Sequence, residues 1–316
     1  MSAEQIFANY ARPLGIGGIA MAGIIGILKS SGIIGRAVKL AANELGNKRD
    51  LNGPTLRTEQ DLSMKFVLVG IIAALITTFV FFQFGVIQNI SQTLIALLIV
   101  FVIAFLFTTV AANAIAIVGS NPVSGMTLMT LILTSVILVS VGIQGERGMM
   151  AAMIIGGVVC TALSMAGGFI TDLKIGYWLG TTPQKQEKWK FLGTFVSALT
   201  VAGVMIILSQ TYGFEGEGAL VAPQANAMAA VIKPLMEGGE TPWILYAVGA
   251  ILALILNFIK VPALPFALGM FIPLQLNVPL LVGGLISHFV GSRSKDASIN
   301  KARRDKGTLI ASGFIA

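Results

Sequence analysis

Charge is what this chain has least of. Only 11% of its 316 residues are Asp, Glu, Lys or Arg, against about 25% in a soluble globular domain. So few charges cannot solvate a globular surface, and with 55% hydrophobic residues the chain belongs in lipid. There is one cysteine, Cys160, in an apolar run. A lone thiol excludes an internal disulfide and any multi-cysteine metal site, and Cys160 reads as a small packing residue. There is also one histidine, His288. With one His, one Cys and neither a GxSxG nor an HExxH motif, no hydrolase or zinc-protease set can be assembled. An enzyme is not expected, nor is a metal or cofactor. No GxxxxGK[ST] loop is present, so the chain does not bind ATP in the P-loop manner. The net charge of +7 would suit nucleic acid, but in a membrane chain it reflects basic cytoplasmic loops. No nucleic-acid partner is expected.

What the chain has in quantity is glycine, 36 residues, as expected where membrane helices pack closely or break. Met1 to Ala11 lacks the basic start of a signal peptide. Uncharged runs place the spans. The first is Pro13 to Leu28, continuing past Lys29 to Gly35. Phe66 to Gly145 is uncharged over 80 residues, room for three helices at about 20 residues each. Its joints fall at Gln88-Asn89 with Ser91-Gln92, and at GSNPVSG, Gly119 to Gly125. Gly148 to Thr171, Phe191 to Phe214 and Thr241 to Ile259 give three more. Val261 to Ser292 is uncharged but interrupted by Pro262, Pro265, Pro273 and Pro279, which suits half-helices or a re-entrant hairpin better than one straight helix. The expected fold is an all-α membrane protein: a polytopic bundle of about seven full spans plus this proline-broken re-entrant segment. The apolar tail Gly307 to Ala316 is too short to span. It reads as a re-entrant piece or, preferably, as the start of a further helix.

The basic residues test that topology. Of 21, 16 fall between Arg36 and Lys65, between Lys174 and Lys190, and between Arg293 and Lys306. By the positive-inside rule all three segments are cytoplasmic. Four crossings separate the first two, and spans six and seven separate the second from the third. The proline-broken segment must then return to the side it left. The link Glu215 to Glu240, with four Glu against Lys233, falls outside, and its apolar middle is able to lie on or dip into the membrane.

Three features carry candidate chemistry. In GSNPVSGMT, Gly119 to Thr127, Pro122 removes a backbone donor, and Asn113, Asn121, Ser124 and Thr127 supply uncharged polar groups. Irregular backbone at membrane depth survives only against protein or a water-filled cavity, and carriers bind substrates at such breaks. A plain turn between helices explains the same residues equally well. TDLKIGYW, Thr171 to Trp178, reads as a charged, aromatic-anchored cytoplasmic loop. Lys174 snorkels there, and Asp172 acts as a fixed charge held by Lys174, Lys185 and Lys188 or, less readily, as a proton carrier. A lone histidine such as His288 is usually a packing residue in such a setting, yet histidine is the residue type suited to proton coupling near neutral pH.

Taken together, these segments resemble the oligopeptide transporter (OPT) family, which includes the yellow-stripe-like metal-chelate carriers. DLKIGYWLGTTPQKQ is similar to that family's D-L-K-x-G-x-x-x-G-x-x-P-x-x-Q signature, with Asp172, Leu173, Lys174, Gly176, Gly180, Pro183 and Gln186 in its places. GSNPVSGMT resembles the family's Asn-Pro turn, VPALPFALGMFIPL its late proline-rich segment, and FANYARPLGIGGIAMAGI the entry to the first helix of its second half. The resemblance implies one transporter domain over residues 1–316, the later part of a longer proton-coupled carrier in the cell (inner) membrane. It implies peptides or metal–peptide-like chelates as substrate, and the bilayer and the earlier half of the carrier as partners. A non-transporting subunit that only completes such a fold is the alternative.

Overall fold

The computed structural model describes residues 3–29, 31–46, 56–118, 123–214, 223–237, 242–272 and 274–315. Among them there is no strand. In lipid, an uncharged run can satisfy its backbone polar groups only within itself, so each folds as a helix. A short turn α1 (Ala3–Ile6) and a π-helical turn (Phe7–Ala11) lead into α2 (Arg12–Lys29). Then come α3 (Ser31–Gly46), a 3-10 turn at Arg57–Glu59, and α4 (Met64–Gly85). Next are α5 (Ile90–Val118), α6 (Val123–Ser140), α7 (Gly145–Leu179) and α8 (Pro183–Thr211). The chain continues through α9 (Pro223–Met236), α10 (Trp243–Phe258), α11 (Ala263–Phe271), α12 (Leu274–Gly291) and α13 (Ala297–Ile315).

Among the described residues, five helices are long and apolar enough to cross a membrane, Phe7–Lys29, Arg57–Gly85, Ile90–Ala112, Gly145–Leu179 and Pro183–Thr211. Met126–Ser140, Trp243–Phe258 and Asn277–Gly291 are shorter apolar helices. The uncharged 80-residue run divides at its first polar joint, between α4 and α5, and continues as α5 and α6, whose joint at residues 119–122 lies outside the described residues. Helix covers Arg12–Lys29 and, as α3, Ser31–Gly46, while Ser30 between them lies outside the described residues. The proline-rich segment is in pieces: α11 has nine residues, about 13 Å at 1.5 Å per residue, too short to span. The Asn277 side chain closes the elbow after it by donating to the carbonyls of Gly269 (2.8 Å) and Ile272 (2.9 Å).

Two packing groups form the core. In the first, α7 lies against α5, α6 and α9. Its contact face is a helical stripe of Gly148, Ala152, Ile155, Val159 and Leu163, all buried. The link between α8 and α10, expected outside, supplies a core element, because α9 places Val231, Ile232, Leu235 and Met236 inside. In the second group α2 packs on α10 and α11, and it also touches α6, joining the two groups. The α2–α10 crossing is close. A Cβ on Gly17 would overlap the Tyr246 carbonyl, and one on Gly249 the Leu14 carbonyl. Small residues let membrane helices approach this way. By contrast, 6% of the α4 span and none of the α8 span is buried inside the chain.

Candidate functional site

The signature sits at a helical corner. At 35 residues, α7 is about 52 Å long, well beyond the roughly 30 Å hydrocarbon core. Its last turns therefore carry Asp172 to Leu179 clear of the apolar span. This corrects the loop expected there: the helix runs to Leu179, and only residues 180–182 lie outside helix. Gly180 ends α7 in the left-handed region at φ 69°. The N–H of Gly180 donates to the Tyr177 carbonyl (3.2 Å) and that of Thr181 to the Gly176 carbonyl (2.8 Å), a Schellman stop. Pro183 opens α8, where its missing N–H costs nothing.

An antiparallel hairpin brings residues equidistant from its corner to the same height. Asp172 accordingly pairs with Lys190 of α8, not with Lys174, Lys185 or Lys188. The Gln186 amide donates to the Asp172 carbonyl (3.3 Å), and the buried Gly176 leaves the space that the Gln186 amide and Thr181 hydroxyl fill. Leu173 is half-buried. The Lys174 ammonium lies over the rings of Tyr177 (5.3 Å) and Trp178 (5.5 Å), both exposed. That arrangement matches a snorkelling cation beside an aromatic anchor.

The segment before α4 clamps this corner. The Arg57 guanidinium donates to the Gly180 carbonyl (2.7 Å), a cation at a helix C-terminus. The Gln60 carbonyl accepts from the N–H of Gln184 (2.8 Å), one of the donors left open at the start of α8. The Glu187 carboxylate accepts from the N–H of Leu62 (2.7 Å), and Phe66 meets Phe191 edge-on at 6.1 Å. The first and second basic segments thus meet at one end of the bundle. Arg57, Gln60 and Glu187 escape sequence reasoning because their partners lie more than a hundred residues away. The corner is a joint tied by the Asp172–Lys190 pair and by the Arg57–Gly180, Gln184–Gln60 and Leu62–Glu187 hydrogen bonds. Its buried Thr181 hydroxyl has no hydrogen-bond partner among the described residues.

The second candidate site is the α5–α6 connection. Asn121 and Pro122 lie outside the described residues, as do the side chains of Asn113 and Ser124. Thr127 is buried. It begins a hydroxyl face that sequence reasoning missed: Thr127, Thr130 and Thr134 recur at helical spacing beside Ser135, and all are buried. Thr130 donates to the Met126 carbonyl (2.9 Å). Among the described residues Thr134 and Ser135 have no hydrogen-bond partner, nor has Thr93 in the first turn of α5. An unsatisfied buried hydroxyl costs about 1–3 kcal/mol, so these three are poised for water or a polar guest. A cavity of about 50 Å³ is bounded by Gly23 of α2, Phe107 of α5, Met126 and Met129 of α6 and Leu264 of α11, and none of these hydroxyls lines it. His288 belongs to neither site. It is exposed in the last turn of α12, which packs mainly on α13.

Long apolar helices crossing at glycines, a helical corner carried beyond the span and a broken helix pair define a multi-pass integral membrane protein. The family profile described as OPT oligopeptide transporter protein matches residues 1–316, and the chain belongs to that family. It is similar to a "Putative oligopeptide transporter" of Haemophilus influenzae, 28% identical over 361 aligned residues that cover 99% of this chain and 56% of the relative. The chain therefore spans about half the length of that relative. No solved structure matches it.

Proposed function

We propose that the chain is the later part of a secondary carrier, not an enzyme, that moves oligopeptides or metal–peptide-like chelates across a cell's inner membrane with cotransported protons. Residues 1–316 act as one transporter domain, and Asn113, Asn121, Pro122, Ser124 and Thr127 line its substrate path. The observation that carries this reading is the line of buried hydroxyls leading away from the α5–α6 connection, with Thr134 and Ser135 unpartnered. Uncharged hydroxyls match the N–H and C=O groups that every peptide brings, whatever its side chains. That is the property a carrier of varied peptides needs.

The test is uptake of labelled peptides and metal chelates into vesicles holding the protein. Thr134→Val combined with Ser135→Ala removes both hydroxyls with little change of shape. Uptake should fall about tenfold or more, at about 1 kcal/mol per hydrogen bond, with the amount in the membrane unchanged. Undiminished uptake sinks the path assignment. For proton coupling, His288→Gln should flatten the pH dependence of uptake between about pH 5 and 8, and Asp172→Asn should lower uptake at every pH without changing its shape. The reverse pattern makes Asp172 the proton carrier.

A second reading has its own support. No residue of the α8 span is fully buried inside the chain, as in a chain that completes a larger carrier without transporting alone. Uptake that appears only when the remaining length of the carrier is supplied would favour that role.

A further inference from the structure

The α12–α13 hairpin opens a notch that neither candidate site uses. Val290 and Arg293 form one wall, and Arg303, Lys306, Gly307 and Ile310 the other, around a cavity of about 420 Å³. Three of the six lining residues are cations, and the two large remaining ones are aliphatic. Arg303 and Lys306 have no ion-pair or hydrogen-bond partner, since the Asp172–Lys190 pair is the one salt bridge among the described residues. Arg293 lies over the Phe289 ring at 4.5 Å, which leaves its guanidinium edge open.

The nearby carboxylates do not neutralise this group. Asp296 accepts from the N–H and hydroxyl of Ser298, both at 2.8 Å, at the start of α13. Those bonds hold its carboxyl below the ordinary value. Asp305 pairs with none of the lining cations. Between Arg293 and Lys306 there are six Lys and Arg against two Asp. Cations gathered without counter-charge repel one another, and the arrangement is stabilised only by an anion from outside. The neighbouring Ile286, Phe289 and Leu309 are exposed apolar residues, so the notch lies where charged surface gives way to lipid-facing surface.

The geometry points to a binding site for the phosphate headgroup of an anionic phospholipid, held by Arg293, Arg303 and Lys306 with its glycerol end along Val290 and Ile310. Guanidinium groups fit phosphate oxygens through paired N–H donors. Clusters of four to eight basic residues beside a membrane helix attract anionic lipid at about a fivefold gain per charge. Free phosphate would account for the cations but leaves the aliphatic walls unexplained.

The experiment uses the purified full chain in neutral detergent, titrated with phosphatidylglycerol or phosphatidylcholine, with bound lipid counted by native mass spectrometry. Phosphatidylglycerol should be retained in preference to phosphatidylcholine. Replacing Arg293, Arg303 and Lys306 together by Gln should weaken it roughly 100-fold. Arg293→Lys with Arg303→Lys, which keeps the charge but not the paired N–H donors and guards against misfolding as the cause, should hold the lipid more tightly than the triple variant. Lys185→Gln with Lys188→Gln, in the second basic segment, should hold it as wild type does. Equal binding of the neutral lipid, or full retention by the triple variant, overturns the site. Displacement of the lipid by an equal concentration of inorganic phosphate overturns the lipid assignment in favour of a free-anion site.

Discussion

Gly180 and Lys260 occupy the same conformation, and only one of them suits it. Each follows a helix at φ near 60–70°, Gly180 after α7 and Lys260 after α10. Each closes a Schellman stop, for the N–H of Lys260 meets the Asn257 carbonyl (3.2 Å) and that of Val261 the Leu256 carbonyl (2.9 Å). A residue with a Cβ loses roughly 1–2 kcal/mol in the left-handed region. Gly180→Ala should therefore destabilise the protein by about 1 kcal/mol, and Lys260→Gly should stabilise it by a similar amount. Thermal unfolding in one detergent, with wild type alongside, measures both. Changes of the same sign would show that the caps are not the operative feature. The signature's second glycine thus has a backbone explanation independent of transport.

At the scale of the element, the α2–α10 crossing depends on glycines with no space to spare. A methyl group on Gly17 or Gly249 would meet backbone, which cannot swing aside as a side chain can. Gly249→Ala should cost about 1–3 kcal/mol by overpacking, read as a lowered unfolding midpoint in detergent. Gly70→Ala, in α4 where the added Cβ meets nothing, should be neutral or stabilising by up to about 1 kcal/mol. Equal effects at the two positions would mean that helix propensity, not the crossing, sets the response. Composition signals that glycine is plentiful; it does not say which glycines touch backbone, because the partners come from distant helices.

For the whole molecule, the charge map makes a claim about sidedness that labelling can decide. In a Cys160→Ala background, cysteines at Gln184 and Ser298 should be shielded from an impermeant thiol reagent in intact cells. One at Tyr212, at the other end of α8, should react. The Arg57–Gly180 and Gln60–Gln184 contacts already bring the first two basic segments together. Ser298 is the informative position. Reaction there with Gln184 shielded would mean that residues 261–292 cross the membrane once, and the re-entrant reading would fall.

The sequence by itself determined the membrane class, the all-helical content and the division of residues 66–145 into three helices. Each of these follows from local physics. A backbone without water must bond to itself, and polar residues mark where it leaves lipid. The sequence also held the hydroxyl spacing of Thr127, Thr130 and Thr134, though nothing local revealed that this face is buried instead of lipid-facing. Tertiary structure alone decided that Asp172 pairs with Lys190, that Arg57 and Glu187 lock the signature corner, and that α9 belongs to the core. Those outcomes depend on which helices meet and at what height. Residues far apart in the chain become neighbours only once the hairpins have closed.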